Sequence, residues 1–378
     1  MKNNFKKRGV FPGIRVREII FSVITFVLFI LLLEGVTRSF YLTKNKAIPR
    51  ESNFSKYLGW ETAANISVEK KHKGYGKIKF STTKWGFRIF GDTNTSKTKI
   101  FVIGDSITQA NTVSDGNTYY DFLKNKNTEI FAYGCGGYGS LQEYMILDKF
   151  FDIIKPDIIL WQFSSNDIIN NDYSLESASN RNNNHMRRPY YKDGQIEYLY
   201  PKQSRGYAWI HKLVQSSYFL RLFKSRLHIV KEKMVGSIED ELHERHPLFQ
   251  KSVNTTSEIM KLVKKRAGST PIIAFSAFKP EWLGNAFPNI CGKNGIYYVS
   301  GIPELIIKAK NAGIVVDGTP YNCHWNSAGH SIVGEIIYGY LIRKNLLTCI
   351  IHTEGIFDES VIKEKWVTSI LRGQFYFC

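Results

Sequence analysis

Acidic charge is what this 378-residue chain has too little of, with 33 Asp and Glu against 51 Lys and Arg and a formal net charge of +18. An excess of that sign points to a polyanionic partner, an anionic membrane surface or an acidic polymer, and does not choose among them. Cysteine is sparse as well. Cys135, Cys291, Cys323, Cys349 and Cys378 are odd in number, widely spaced and never arranged as CxxC, so neither a zinc site nor a disulfide scaffold is indicated. One disulfide stays open in an oxidising compartment. No metal or other cofactor is expected. Zinc-finger spacing, an aromatic RNP-like strand and a GxGxxG turn are all missing, so nucleic acid and dinucleotides are not expected as partners. The 43% hydrophobic and 14% aromatic content excludes a disordered polymer.

Long apolar runs are equally scarce, and the single one stands near the N-terminus. Residues 1–17 carry six basic side chains and no acidic one, and residues 19–33, IIFSVITFVLFILLL, are uncharged. Fifteen residues fall short of the ~20 that a bilayer span needs, but Val16, Gly35 and Val36 extend the run and Glu34 lies near one interface. A cleaved signal peptide is the competing reading. The following EGVTRSFYLTKNKAIPR has neither a small-x-small cleavage site nor a lipobox cysteine, which favours an uncleaved anchor. With the positive flank held inside, everything after about residue 40 lies across the membrane. The expected layout is a cytoplasmic tail (1–17), a signal-anchor helix crossing the inner membrane once (18–38) and a juxtamembrane segment (39–95). A periplasmic domain follows. Once the +5 of residues 1–18 is set aside, the rest still carries +13.

Strand and helix patterns then alternate. KIFVIGD reads as a strand, residues 118–126 as a polar helix, EIFAYG as a strand, SLQEYMILDKFFDII as a helix and PDIILWQF as a strand. An excursion rich in Asn, Tyr and Arg interrupts this order over about 170–250. Periodicity resumes with Ile259, Leu262 and Val263 on one helical face, PIIAFSA as a strand, a helix at 303–311, GIVVD as a short strand and a last helix at 327–343. Five strands in β-α order imply a parallel sheet covered on both faces. The tail, 346–378, has no functional reading.

In an open parallel sheet, ligands gather outside the carboxyl ends of the strands. Four polar loops converge there: the one holding Ser106, GCGGYG at 134–139, SSND at 164–167 and NCHWNSAGH at 322–330. Ser106 is either a nucleophile or the cap of the next helix. As a nucleophile it needs a base, which His324 can supply. An acyl transition state also needs donors, which the N–H of Ser106, the N–H of a glycine in GCGGYG and the amide of Asn166 can supply.

These blocks resemble the SGNH/GDSL hydrolase superfamily. GDSIT at 104–108 is similar to its first block, Gly137 to its second, SSND to its third and HWNSAGH at 324–330 to its last, with supporting likeness in WGFR at 85–88, GNTYYDFL at 116–123 and YGSLQEY at 138–144. The resemblance spans residues 80–345. It implies a flavodoxin-like three-layer α/β/α sandwich, a hydrolase domain over 96–345, Ser106 as nucleophile, His324 as base, and an oxyanion hole of Ser106, Gly137 and Asn166. Two positions depart from the family pattern. Ser164 stands where Gly is usual, and the position of the triad acid, two or three residues before the histidine, holds Asn322 and Tyr321. An amide can orient an imidazole but cannot stabilise the imidazolium by charge. Asn322, Asp317 folded back, or a backbone carbonyl are the candidates for orienting His324.

The expected function is a serine esterase or O-acyltransferase acting on ester-linked acyl groups of an envelope or secreted glycan. A catalytically impaired binding or assembly module and a membrane-proximal lipase or thioesterase are the alternatives. The expected partners are an acylated carbohydrate or lipid, and the membrane. In the excursion, Arg187, Arg188, Tyr190, Tyr191, Tyr198, Tyr200, Tyr207 and Trp209 suit an acidic sugar chain, unless the segment is a lid or packing insert.

Overall fold

A computed structural model describes residues 16–44, 51–72, 75–201, 213–214, 216–220, 222–223, 236–319 and 322–347. The chain divides into two compact units, one of residues 1–48 with 204–236 and the other of the remainder.

The first unit is built on helix α1, Val16–Lys44, whose segment Arg17–Phe40 contains an 18-residue window of mean hydropathy 2.7. Its length and composition are those of a membrane span, and a signal sequence shares them. Glu34 accepts hydrogen bonds from the Ser217 hydroxyl (2.7 Å) and from the N–H groups of Tyr218 (3.2 Å) and Phe219 (3.0 Å), and Arg38 pairs with it at 3.2 Å.

The second unit begins with two antiparallel hairpins, β1 (Ser52–Ser55) with β2 (Gly59–Thr62) and β3 (Ser67–His72) with β4 (Gly76–Ser81). Residues 52–90 fold with the α/β unit and bury Trp60, Ile78, Phe80 and Phe87. Then come β5 (Ile89–Phe90), β6 (Thr98–Gly104), α2 (Ser106–Gln109), β7 (Thr128–Gly134), α3 (Ser140–Ile154), β8 (Ile158–Phe163), α4 (Ser165–Asn171) and α5 (Tyr173–Ala178). Hairpin β9 (Arg188–Lys192) and β10 (Gln195–Leu199) precedes α6 (Pro247–Ala267), β11 (Ile272–Ser276), α7 (Ala286–Lys293), β12 (Tyr297–Val299) and α8 (Ile302–Asn311). The order closes with hairpin β13 (Asp317–Thr319) and β14 (Asn322–Trp325), and α9 (Ser327–Arg343).

The central sheet runs β12-β11-β8-β6-β7-β5, parallel throughout except for β5, which pairs antiparallel with β7. Its five parallel strands take the flavodoxin-like order 2-1-3-4-5, with the switch point between β6 and β8. Period-2 geometry sorts their side chains. Phe101, Ile103, Trp161 and Ala274 join the core under α3, α6 and α7, while Ile100, Val102, Leu160 and Phe275 join the core under α8 and α9. Helix α6 shows why it covers a face: Phe249, Ser252, Thr256, Ile259, Met260, Val263 and Ala267 recur every three or four residues and are its buried side chains.

The sheet therefore has six strands, where five were expected. The edge strands β5 and β12 are two and three residues long, too short for a period to register. GIVVD does not enter the sheet. The Asn326 N–H bonds the Val316 carbonyl at 2.8 Å and its side chain the Val315 carbonyl at 2.7 Å, so these backbone groups are satisfied locally. Residues 118–126 form a 3₁₀ turn at Asp121–Leu123 in place of the expected helix, since the Asp121 carboxylate takes both the Thr118 N–H (3.0 Å) and hydroxyl (2.6 Å).

Arg88, buried at the entry to β5, holds the loop that follows α2. Its guanidinium donates to the carbonyls of Gln109 (2.5 Å), Ala110 (2.7 Å) and Val113 (3.3 Å) and pairs with Asp115 at 2.9 Å. Arg88→Met should lower unfolding stability by at least about 3 kcal/mol, because three carbonyls and a carboxylate lose their donor together. Denaturant unfolding of the two proteins checks this, and a loss under about 1 kcal/mol would refute the role.

Candidate active site

The site starts where β6 leaves the sheet. Gly104 and Gly134 are register partners at the ends of β6 and β7. A Cβ at Gly104 would collide with Thr108 and Gln162, and one at Gly134 with the backbone of Thr108 and Gln109, so these two glycines let α2 lie against the strand ends. The fully buried Gln162 of β8 fastens this turn, its Oε1 accepting from the N–H groups of Asp105 (3.1 Å) and Thr108 (3.2 Å) and the Thr108 hydroxyl (2.9 Å).

Asp105 caps α2, accepting the Ile107 N–H at 3.1 Å, which leaves the Ser106 side chain free of capping duty. The Ser106 hydroxyl instead meets Nε2 of His324 at 2.8 Å across 218 residues of sequence. Burial pushes the Asp105 carboxyl above its usual range, against the lowering pull of the Ile107 N–H and the His324 charge. Glu143 and Asp167, buried nearby, are likewise pushed well up, first by burial, then Glu143 by the charges of Asp167 and Asp105 and Asp167 by that of Asp105.

The backbone of His324 is anchored by the Tyr75 hydroxyl, which donates to its carbonyl at 2.8 Å. His330, the second histidine of the same block, is a buried structural acceptor. Its Nδ1 takes the Tyr119 N–H at 3.2 Å, its ring stacks on Tyr119, and burial drives its pKa down to about 3.

The expected site residues meet around a cavity of about 250 Å³. Ser106, Gly137, Asn166 and His324 line it together with Asp105, Ser164, Ser165, Asn170, Arg181, Asn182, Asn184 and Phe278. Gly137 has φ +77, a backbone that L side chains rarely adopt. Among the described residues, neither the Ser106 N–H nor the Gly137 N–H has a protein acceptor. The Asn166 amide is engaged, donating to the Tyr138 carbonyl at 3.2 Å and Asn170 Oδ1 at 3.3 Å, so an incoming oxyanion has to compete for it. Asp317 is not brought to His324, because its carboxylate pairs with Lys310. The side chain of Asn322 lies outside the described residues.

The excursion enters the site by residues other than those expected. None of Arg187, Arg188, Tyr190, Tyr191, Tyr198 or Tyr200 lines the cavity. Arg188 is fully buried and pairs with Glu176 at 3.2 Å, and the Tyr190 hydroxyl donates to the same carboxylate at 2.8 Å. Tyr207 and Trp209 lie outside the described residues. The lining comes instead from Arg181, Asn182 and Asn184, within the Asn-rich run that was the available signal, and Arg181 is held by Asp240 at 2.6 and 2.8 Å. Cys135 and Cys291 are buried free thiols, each pushed up to about 12 by burial.

No protein-family model matches the sequence, and neither does any curated protein. Solved structures similar to this chain include a lipase/acylhydrolase from Enterococcus faecalis, with TM-score 0.36, 14% identity and coverage of 65% of this chain and 96% of that one. A family 3 carbohydrate esterase from Clostridium thermocellum has TM-score 0.37 and 12% identity, covering 66% and 97%. A two-domain esterase active on acetylated mannans has TM-score 0.38 and 14% identity, covering 69% of this chain and 53% of that one. At such identities the likeness is one of fold, and the chemistry has to come from this chain's own residues.

His330 makes a pH prediction. The unfolded imidazole titrates near 6.5 and the folded one near 3, so between these values the unfolded chain binds one proton more. Stability is whole above pH 6.5 and falls as pH drops toward 3, by about 1.4 kcal/mol per unit. The buried Asp105, Glu143 and Asp167 act with the opposite sign, and a His330→Asn protein retains them. The wild-type advantage over His330→Asn should therefore shrink as pH falls from 6.5. Unfolding midpoints across that range test it, and a constant difference would refute a neutral buried histidine.

Proposed function

We propose that this chain is a serine hydrolase of the SGNH type, cleaving or transferring short acyl groups esterified to a hydroxyl-rich carrier, an O-acylated carbohydrate. One observation carries the reading: the 2.8 Å contact between Ser106 Oγ and His324 Nε2, in a cavity lined by Ser106 and Gly137, whose N–H groups have no protein acceptor among the described residues.

Such a site works as follows. His324 Nε2 accepts the Ser106 proton as Oγ attacks the ester carbonyl. The carbonyl oxygen, now an anion, is met by the N–H groups of Ser106 and Gly137, with Asn166 as a third donor once it turns from Tyr138. Collapse of the tetrahedral adduct expels the carrier's alkoxide, which takes the proton back from His324. Water or a second hydroxyl then attacks the acyl-serine with His324 again as base. Asp317 is held by Lys310 and does not serve as the third member of a triad, and the His324 backbone is held by the Tyr75 bond to its carbonyl.

The lining favours a polar carrier over a lipid. Amides, hydroxyls and the Arg181 guanidinium surround Ser106, with Phe278 the one large apolar side chain in the lining. A cavity of about 250 Å³ is small for a drug-sized ligand and suits a short acyl group. The full-length protein should hydrolyse p-nitrophenyl acetate and leave the palmitoyl ester nearly untouched, Ser106→Ala should lose at least about 10³-fold in turnover, and His324→Ala at least about 10²-fold. Equal rates on the acetyl and palmitoyl esters would sink the polar-carrier reading, and full activity in Ser106→Ala the nucleophile.

The proposed address is the inner membrane, with α1 as a single-pass anchor and the α/β unit periplasmic. The basic residues ahead of α1 and the apolar segment Arg17–Phe40 support it. Alkaline phosphatase fused after Arg343 should be active, and a fusion active only with a cytoplasmic reporter would reverse the orientation.

A further inference from the structure

The glycine loop at the site has one backbone group without a protein partner, and the rest of the loop explains why. In residues 135–138, Cys135 N–H bonds the Gly104 carbonyl (3.4 Å), Gly136 N–H bonds Gln109 Oε1 (3.1 Å), and Tyr138 N–H bonds the Cys135 carbonyl (3.2 Å). The carbonyl of Gly136 accepts the Trp60 indole N–H (2.9 Å), that of Gly137 accepts Arg188 Nη2 (2.5 Å), and that of Tyr138 accepts the Asn166 amide (3.2 Å). Only the Gly137 N–H is left over, and Gly137 lines the cavity beside Ser106. Backbone donors are rarely left without a partner, so a single vacancy at this place calls for an acceptor that arrives with the substrate.

The direction of that N–H is set by its own peptide unit. The Gly136 carbonyl and the Gly137 N–H belong to one peptide, which is planar and trans, so they point to opposite sides. Whatever holds the carbonyl aims the N–H. Two glycines in succession, one of them at φ +77, give this peptide little resistance to rotating about its flanking bonds, so an external bond has to fix it. Trp60 supplies that bond from β2, 76 residues away, and Arg188 lies over its ring at 4.8 Å while gripping the next carbonyl.

We propose that Trp60 is a positioning residue for the oxyanion hole. Its indole N–H locks the Gly136–Gly137 peptide so that the Gly137 N–H faces the carbonyl oxygen of the substrate. The inference rests on the hydrolase reading above, and extends it to a residue outside the four motif blocks.

The test removes the N–H and keeps the ring. Trp60 is replaced in the full-length protein by 3-benzothienylalanine, in which sulfur stands for the N–H, and separately by Phe. Kinetics on p-nitrophenyl acetate are normalised to active sites titrated with a fluorophosphonate. Turnover should fall about tenfold or more in both variants, less than the 10² to 10³ expected for losing an oxyanion donor outright, because the donor is loosened and not deleted. KM should stay within twofold, since the bond acts on charge that develops after binding. Wild-type kcat in the benzothienyl variant, beside a wild type whose turnover depends on Ser106, would overturn the positioning role and leave the hydrolase reading standing. A wild type with no Ser106-dependent turnover would overturn both.

Discussion

The arrangement depends first on a close approach of backbone at the carboxyl ends of β6 and β7. Gly104 and Gly134 stand side by side there, and any side chain on either would push α2 off the sheet. With α2 seated, the buried Gln162 amide can gather the N–H groups of Asp105 and Thr108 onto one oxygen, and Ser106 is delivered to the switch point between β6 and β8. The position of Ser106 is thus a consequence of missing atoms at two glycines and of one satisfied amide, both inside a core that tolerates little change of volume.

Around that turn the segments outside the parallel sheet act as a brace. The N-terminal hairpins contribute Trp60 to the Gly136 carbonyl, Thr62 to the Gly134 carbonyl at 2.7 Å and Tyr75 to the His324 carbonyl. The excursion contributes Arg188 to the Gly137 carbonyl, and lines the mouth with Arg181, Asn182 and Asn184. Arg188 could not be buried alone. The Glu176 carboxylate, itself bonded by the Tyr190 hydroxyl, and two backbone carbonyls share its charge, which makes the network costly to break at any single member. These additions restrict how the groups lining the cavity can turn, and such restriction is what the proposed chemistry would draw on.

The carboxyls near the site are arranged unlike those of a triad. Asp105, Glu143 and Asp167 are buried and pushed toward their neutral forms, and Asp317 is held by Lys310. His330, in the same block as His324, is kept neutral by burial and spends its lone pair on a backbone N–H. Of the two histidines in that block, the half-buried one reaches Ser106.

By itself the sequence determined the parallel α/β architecture, the four loops at one edge, and the pair Ser106 and His324, because each is written in local patterns: short apolar runs, a Gly-Asp-Ser turn, and a histidine just ahead of a helix. It determined the apolar N-terminal helix for the same reason. Only the tertiary structure decided the edge strands β5 and β12, whose pairing partners lie elsewhere in the chain. It also decided that Asp105 caps α2 and Ser106 does not, that Asp317 turns to Lys310, and that Arg188 and Tyr190 are buried against Glu176. Trp60, Arg188 and Tyr75 reach their carbonyls across 76, 51 and 249 residues. A hydrogen bond from a side chain to a distant backbone carbonyl leaves no mark on the carbonyl's own residue, since every residue has one, and so no pattern in the sequence could have announced it.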